Sequence, residues 1–153
     1  MATTYLADNW SAPAIVCPFE GIEMVREFKY TLTAAFVIND LIKLAPIPAS
    51  AAGILLTSYF IDLPDLDSGG TPTFTCDLGD LDSAARFVAA ATTGQAAGYL
   101  TPSGNGVAAS LPFKYTAANA LVLKVHAAAQ TAPTSGVIRG FAKYCNVSPL
   151  TSF

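Results

Sequence analysis

The sequence predicts an all-β fold, an antiparallel β-sandwich of jelly-roll-like form with one short α-helix and an extended N-terminal arm. Apolar and polar residues alternate with a period of two in several segments, which is typical of strands that bury one face. Glycine- and proline-rich turn signals separate these segments, as in sandwiches. We expect the arm over residues 1–24, the β-sandwich domain over 25–145 and an irregular tail over 146–153.

The N-terminal segment differs from the rest of the chain. Pro13 and Pro18 interrupt it and no alternation is visible, which predicts an extended arm that needs a surface to dock on. Aromatic side chains are favoured hot spots of protein interfaces, so we expect the arm to cross a neighbouring subunit with Trp10 as its main anchor. The alternative is that Trp10 packs on its own β-domain. The expected partner-binding residues of the arm are Tyr5, Leu6, Trp10, Ile15, Val16 and Phe19.

Three strands are predicted in the first part of the β-domain. Alternation over Glu27–Thr33 predicts a strand with one buried face. A second strand is expected over Phe36–Leu44, with a bend or hairpin at Asn39–Asp40 and an end at Pro46. The β-forming residues of Ile54–Leu63 predict a third, largely buried strand.

A turn and a fourth strand follow. The run Pro64–Gly70 is a strong turn signal, and residues 74–78 again alternate between apolar and polar side chains. The strands on either side of the turn are therefore expected to form a hairpin that the turn closes.

The acidic residues around this turn are the most prominent polar feature of the sequence. Six of the eleven acidic residues lie between Asp62 and Asp82, with no basic residue among them. Asp65 and Asp67 are the candidates for contact with a basic partner surface, and a solvated hairpin tip is the alternative. A calcium loop that starts at Asp65 would need a carboxylate at its twelfth position, where the chain has Cys76.

An alanine-rich segment predicts the short α-helix, near residues 82–92. Asp82 or Ser83 can accept hydrogen bonds from the first free N–H groups of such a helix, and Gly94 stands where a C-terminal cap is expected. Turn signals then separate four more predicted strands, over residues 97–101, 111–115, 121–126 and 137–144.

The composition is apolar and nearly uncharged. Hydrophobic residues make up 52% of the chain and charged residues 12%, against about 25% charged residues in an average soluble domain. The uncharged stretch Leu44–Ile61 contains two prolines, which argue against a membrane-spanning helix. We therefore expect a surface covered by other protein chains, and an unusually neutral monomer is the alternative. The first residues show no secretory signal, so we expect synthesis in a cytoplasm and no membrane partner.

The sequence holds no recognisable catalytic or cofactor-binding set. The single histidine, His126, is accompanied by no nucleophile motif, and together with Cys17, Cys76 and Cys145 it forms no metal-ligand pattern. The eight basic residues are scattered, which argues against nucleic-acid binding. We therefore expect no enzymatic activity, no cofactor, no metal, no nucleic-acid partner, and cysteines that stay reduced.

Three motifs give the chain a family resemblance. They are the turn D-x-D-x-G-G-T-P at Asp65–Pro72, the segment D-x-A-x-x-F-x-A-A-x-x-x-G-Q-A at Asp82–Ala96, and the closing strand at Ser135–Tyr144. With these motifs the chain, over residues 36–144, resembles the head decoration (capsid cement) proteins of tailed bacteriophages.

The resemblance implies a structural virion protein that binds the outside of the capsid and stabilises it. Its partners would be the major capsid protein and other copies of itself, as a homotrimer, with a dimer as the alternative. The arm would reach either of these partners. Such a protein is made in the host cytoplasm and ends in the virion. The alternative function is a virion fibre or a receptor-binding or tail module, which would more often carry a heptad run; no such run is visible.

Overall fold

The computed structural model describes residues 1–10, 23–50, 52–103 and 111–147. These residues form ten β-strands and one 3-10 turn, arranged as two sheets that face each other. The predicted β-sandwich is therefore confirmed. Of the predicted irregular tail, Asn146 belongs to the last strand, and residues 148–153 lie outside these ranges. Within the described ranges, no helix is long and apolar enough to cross a membrane.

Sheet A contains β1 (Thr4–Leu6), β3 (Leu41–Ile47), β5 (Thr75–Asp80), β6 (Val88–Ala91) and β9 (Asn119–Ala127). The strands follow one another in the order β1-β3-β9-β5-β6. All neighbours pair antiparallel except β1, which lies parallel to β3.

Sheet B contains β2 (Glu23–Thr31), β4 (Ile54–Leu63), β7 (Gly98–Leu100), β8 (Phe113–Tyr115) and β10 (Val137–Asn146). The order is β2-β10-β4, and both β7 and β8 then pair with β4. β7 pairs with Ile61–Leu63 and β8 with Ile54–Leu56, so the two short strands lie along the same edge of β4. All pairs in this sheet are antiparallel.

One apolar core fills the space between the two sheets. Leu56 and Ile61 of β4 face Leu121 and Leu123 of β9 across this core, and all four side chains are fully buried. Burial of each such side chain stabilises the fold by about 1.5–3 kcal/mol. The period-two alternation of the strands thus directs one residue in two toward the core.

Most of the predicted strands are present. The expected strand over Ile54–Leu63 is β4, and the four strands expected after residue 96 correspond to β7, β8, β9 and β10. Two strands were not predicted from the sequence, β1 and β6, and both lie at the edges of sheet A. These two strands have three and four residues, so their alternation is brief and gives little sequence signal.

The predicted α-helix near residues 82–92 is wrong. This segment forms a turn, then β6, and then the 3-10 turn Thr93–Gln95. The buried carboxylate of Asp80 accepts hydrogen bonds from the backbone N–H groups of Asp82 and Ser83, at 3.0 and 2.8 Å. The N–H of Phe87 then binds the carbonyl of Leu78 in β5. Pairing with β5 therefore replaces the hydrogen bonds of a helix, and tertiary contacts override helix propensity.

The predicted hairpin around the acidic turn is also wrong. β4 belongs to sheet B and β5 to sheet A, so the turn connects the two sheets instead of closing a hairpin. The carboxylate of Asp67 accepts backbone hydrogen bonds from Gln130 and Thr131, both at 3.0 Å. These bonds tie the connection to the loop between β9 and β10 and direct the chain away from β4.

The second strand begins later than the predicted Phe36–Leu44. Residues 36–40 form a turn, because the buried carboxylate of Asp40 accepts the N–H of Val37 at 2.8 Å and Asn39 takes a left-handed φ of 68°. Asparagine tolerates this conformation better than most residues. β3 then continues past Pro46, which was expected to end it.

The first ten residues, which are the described beginning of the predicted arm, lie along this chain's own sheets. After β1, the N–H of Asp8 binds the carbonyl of Lys29 in β2 at 2.6 Å. The side-chain amide of Asn9 donates to the carbonyl of Glu27 at 2.7 Å. This extended segment therefore bridges the edges of sheet A and sheet B. Residues 11–22 lie outside the described residues.

Candidate docking surfaces

Three aromatic rings form a strip on the outer face of sheet B, the face that points away from the core. Phe60 lies between Phe141, with ring centroids 5.7 Å apart, and Tyr99, with ring centroids 5.1 Å apart. Tyr99 is 60% exposed and the two phenylalanines are half-buried. Aromatic pairs at this separation gain about 0.5–1.5 kcal/mol beyond their buried area. We call these three residues the aromatic strip.

The strand register brings the three rings together. Phe141 of β10 pairs with Phe60 of β4, and Tyr99 of β7 pairs with Asp62, two residues further along β4. Paired and diagonal neighbours on one face of a sheet lie about 4.5–8 Å apart, within reach of aromatic side chains. Because Tyr59 and Ile61 are buried in the core, Phe60 between them points outward.

A groove of about 420 Å³ lies beside the aromatic strip. Phe60, Phe141 and Phe28 supply its apolar lining. Gly140 also lines it, and a Cβ at that position would collide with the carbonyl of Phe60. The charged groups at this groove include Arg139, whose Nε lies 2.9 Å from a carboxylate oxygen of Asp62. Exposed ion pairs of this kind contribute about 0–1 kcal/mol, so the groove offers mainly apolar contact.

A second ion pair lies further along the same face. Nζ of Lys143 lies 3.1 Å from a carboxylate oxygen of Glu23, and the hydroxyl of Thr57 donates to the other carboxylate oxygen at 2.8 Å. The hydrogen bond from Thr57, followed by that from Lys143, lowers the pKa of Glu23. The outer face of sheet B therefore pairs much of its charge internally.

The outer face of sheet A carries a second candidate surface. The register places Leu6 beside Lys43, and Leu41 beside Lys124. Leu6 is 48% exposed, and Nζ of Lys43 lies 6.0 Å from the centroid of the Trp10 ring. We call Leu6, Trp10, Leu41, Lys43 and Lys124 the basic face.

Asp77, the carboxylate paired with Lys124, makes its contacts within this chain. Asp77 pairs with Lys124 in the β5–β9 register but is only 5% exposed. One of its oxygens accepts the N–H of Ala90 at 2.7 Å, and the other lies 3.1 Å from Nδ1 of His126. Among the described residues, no carboxylate forms an ion pair with Lys43 or Lys124. The basic face therefore presents a positive surface.

The predicted arm anchors fall into three groups. Tyr5 points toward the core, where its ring contacts Tyr30 and Phe36 at centroid distances of 5.7 and 5.6 Å. Leu6 and Trp10 lie on the basic face, where they remain accessible in part. Docking of the arm on a neighbouring subunit stays a prediction. The anchors that lie outside the described residues are Ile15, Val16 and Phe19.

The two acidic candidates differ in exposure. Asp65 is exposed, whereas Asp67 is 1% exposed. Burial alone would raise the pKa of Asp67, but backbone N–H groups favour its charged form and hold the pKa well below its usual range. Asp67 therefore organises the loop from inside, and Asp65 is the one that presents a carboxylate outward. The N–H groups that donate to Asp67 belong to Gly69, Thr73, Phe74, Gln130 and Thr131.

A buried Asp–Arg–Tyr cluster closes the opposite end of the sandwich. The carboxylate of Asp80 accepts hydrogen bonds from Nε of Arg86 and from the hydroxyl of Tyr115, the latter at 2.9 Å. The guanidinium of Arg86 lies 4.4 Å from the centroid of the Phe113 ring. Burial, followed by the hydrogen bond to Asp80, raises the pKa of Tyr115, so its hydroxyl stays protonated. The cluster holds the turn after β5 in place, which is a structural role.

The described residues contain no group of three or more His, Cys, Asp or Glu side chains that could hold a metal ion. His126 has a side chain that is 56% exposed and contacts Asp77 alone among the carboxylates of this part of the chain. A general base needs a nucleophile held within hydrogen-bond reach. What the described surface offers is contact area, on the aromatic strip and on the basic face.

The sequence interpretation missed the aromatic strip, although β4 and β10 carry a signal for it. In β4, apolar residues occupy both phases of the alternation, with Phe60 between Tyr59 and Ile61. In β10, Phe141 likewise occupies the outward phase. When one face of a strand is exposed to water, the residues that point to that face are expected to be polar. Apolar residues in both positions of the alternation therefore predict an outer face that carries apolar side chains.

Comparison with known proteins finds similarity at the level of the fold. No protein-family model and no curated protein matches this sequence. A chain in the capsid of Ralstonia phage GP4 superimposes with a TM-score of 0.77 at 23% identity, covering 95% of this chain and 99% of that one. A chain in the capsid asymmetric unit of cyanophage Pam1 superimposes with a TM-score of 0.61 at 23% identity, covering 91% and 97%. Both alignments span nearly the full length of each chain, so the fold is shared as a whole.

Proposed function

We propose that this chain is a structural virion protein of a tailed bacteriophage, which decorates the capsid by binding the outside of the major capsid protein lattice. The observation that carries the proposal is the aromatic strip, which supports a role in protein–protein contact within the virion. Large apolar side chains grouped on an outer sheet face mark a protein–protein contact, and aromatic residues supply much of the energy of such contacts. Decoration of a shell uses contact area and requires no chemistry at the surface.

The fold comparisons support the proposal. Both similar chains are parts of phage capsids, and each is matched over nearly its whole length. The fold of this chain is therefore one that occurs in capsids as a chain of similar length. The low share of charged residues, 12%, agrees with a protein whose surface is largely covered after assembly.

Binding to an assembled lattice would stabilise the shell by mass action. A protein that binds the assembled lattice and not its separated subunits shifts the equilibrium toward assembly. At a free concentration of about one hundred times the Kd, each site would contribute about 2.7 kcal/mol. Such a protein is made in the host cytoplasm and acts on the exterior of the virion.

We include two contacts in this proposal. Copies of the chain associate as a homotrimer, with a dimer as the alternative, because closed symmetry is the common way to cover identical surfaces. The N-terminal arm contacts the major capsid protein or another copy, with Trp10 as its main anchor. Of the arm residues, Leu6 and Trp10 have accessible surface, whereas Tyr5 belongs to the core of its own domain.

The location of the chain in purified virions tests the proposal. We expect the chain to be present in a fixed ratio to the major capsid protein, with density on the outer surface of the head in a cryo-electron-microscopy map. Density on the tail or on a fibre would support the alternative of a fibre, receptor-binding or tail module. Absence of the chain from virions would overturn a virion role altogether.

The arm contact has its own test. Trp10→Ala should cost on the order of 2 kcal/mol or more in attachment to particles that lack the chain, with little change in melting temperature, because Trp10 is outside the core. Tyr5→Ala is the contrasting variant and should lower the melting temperature, since its ring packs on Tyr30 and Phe36. Undiminished attachment of a folded Trp10→Ala protein would contradict the anchor role.

A further inference from the structure

We infer that the basic face binds a carboxylate-bearing surface of the capsid shell, with Leu6 and Trp10 as apolar anchors and Lys43 and Lys124 as the charged contacts. This inference rests on the proposed function. It specifies which face of the sandwich contacts the shell and which chemical groups of the shell that face binds.

The anchor Leu6 lies on β1, a strand that is held at both ends. The N–H of Thr3 donates to the buried carboxylate of Asp40 at 2.6 Å, and the N–H of Ala7 binds the carbonyl of Lys43 at 2.9 Å. Leu6 lies between these two points and is 48% exposed. A surface leucine on a fixed backbone loses little entropy when a partner covers it.

Trp10 and Lys43 hold each other in position. The ammonium lies 6.0 Å from the ring centroid, within the range of a cation–π contact worth about 0.5–1 kcal/mol at an exposed site. Both residues are half-buried, so the aliphatic stem of the lysine covers apolar surface while its charge reaches toward water. A lysine beside an indole offers a charge and an apolar surface together to a carboxylate that has an apolar neighbour.

The charge of the basic face opposes the charge of the chain. The whole chain carries a formal charge of −3, yet this face holds two lysines, and the neighbouring Asp77 is 5% exposed. A positive face on an acidic protein orients it toward an anionic surface during association. A negative patch on the shell is the complementary partner.

The spacing of the lysines favours protein carboxylates over a phosphate backbone. Lys43 pairs with Val122 and Lys124 with Leu41, so the two lysines are diagonal neighbours on β3 and β9, about 7–8 Å apart at the backbone. Nucleic-acid binding uses many phosphate contacts, because each neutralised phosphate adds only a small increment to affinity. Two cations with two apolar anchors beside Lys43 suit a protein surface with a pair of similarly spaced carboxylates.

Zero-length cross-linking of purified virions tests the inference. A carbodiimide joins lysine amines to carboxylates in direct contact, and mass spectrometry identifies the joined residues. We expect cross-links from Lys43 and Lys124 to Asp or Glu residues of the major capsid protein. Cross-links from these lysines only to another copy of this chain, or to nothing, would overturn the inference while leaving the proposed function standing. Absence of the chain from virions would overturn both.

Matched variants give a second, independent readout. The double variant Lys43→Glu, Lys124→Glu should bind particles that lack the chain at least about tenfold more weakly, and added salt should weaken the wild type more than the variant. The double variant Lys29→Glu, Lys114→Glu is the charge control, because it changes the net charge equally and both lysines are exposed on sheet B. Equal loss in the control would mean that net charge alone matters and would overturn the inference.

A comparison of two exposed leucines tests whether Leu6 makes a specific contact with the shell or whether the loss of any exposed apolar side chain weakens binding. Leu6 and Leu81 are each 48% exposed, but Leu81 lies in the turn after β5, where its N–H donates to the side chain of Asn119. Leu6→Ala should weaken binding to the same particles severalfold, whereas Leu81→Ala should leave it unchanged. Equal effects of the two variants would overturn the assignment of Leu6 to the contact.

Discussion

Asp67 illustrates how one side chain sets the path of a whole connection. Its carboxylate satisfies N–H groups on both the β4–β5 and the β9–β10 loops, and so joins two segments that are remote in sequence. Buried backbone donors without partners would cost about 1–3 kcal/mol each. Cys76 is buried too, but unlike Asp67 it is held in its neutral form. Burial raises the pKa of its thiol to about 12 and keeps the thiol protonated. Its expected reduced state stays a prediction.

We predict that Asp67→Asn lowers the melting temperature at neutral pH and flattens the loss of stability in acid. The folded pKa of Asp67 lies below its ordinary value of 3.8, so its contribution is fully present above that pH and is lost as the pH falls through the folded pKa. Asparagine keeps the shape, but its NH₂ group cannot accept hydrogen bonds. Thermal melts from about pH 2 to about pH 7 measure this.

Asp65→Asn is the control for this prediction. Asp65 is exposed and its substitution should have a much smaller effect on the melting temperature. The same acid dependence in the wild type and in Asp67→Asn would show that Asp67 is not the source of that dependence.

At the scale of elements, β6 shows how neighbours override a local preference. Its alanines favour a helix, yet Asp77 accepts the N–H of Ala90, and Phe87 binds β5 through its backbone. The pairing with β5 shifts register within β6, where Ala90 takes a left-handed φ of 48°. A residue with a Cβ pays about 1–2 kcal/mol for this conformation.

We predict that Ala90→Gly stabilises the protein by about 0.5–1 kcal/mol, because glycine adopts a positive φ without the steric cost. Denaturant unfolding measures the change. Ala89→Gly is the matched control, since Ala89 is also exposed but has no positive φ, and it should destabilise by about 0.5–1 kcal/mol. Destabilisation by both variants would show that the strain at Ala90 is not significant.

At the scale of the whole molecule, the sandwich has two outer faces and each carries apolar groups. The aromatic strip lies on the outer face of sheet B, and the basic face lies on the outer face of sheet A. A monomer in water would leave both uncovered. Two different covered faces are what a subunit needs if one face meets the shell and another meets its own copies.

We predict that the free protein forms a homotrimer, which light scattering over a range of concentrations would detect. Tyr99→Ala should weaken self-association by about 2 kcal/mol, roughly thirtyfold, if the aromatic strip is the contact between copies. Leu81→Ala, which removes an exposed side chain elsewhere, should not. A monomeric wild type at every concentration would rule out a stable free trimer.

The sequence by itself determined the features that depend on neighbouring residues. The period-two alternation of β2 and β5 and the β-forming residues of β4 are local, so they predicted these strands and the sandwich class. The low charge predicted a covered surface, and the aromatic content of the N-terminal segment pointed to Trp10. Leu6 and Trp10 are thus the part of the basic face that sequence reasoning reached.

Only the tertiary structure decided the features that depend on pairing between distant segments. β10 pairs with both β2 and β4, and the aromatic strip exists only because this pairing places Phe141 beside Phe60. Lys43 and Lys124 likewise meet through the pairing of β3 with β9. The alanine-rich segment forms a turn and β6 instead of a helix, because Asp80 binds its backbone and the edge of β5 pairs with it. Such outcomes depend on competition among remote partners, and the pattern within a single segment does not contain that information.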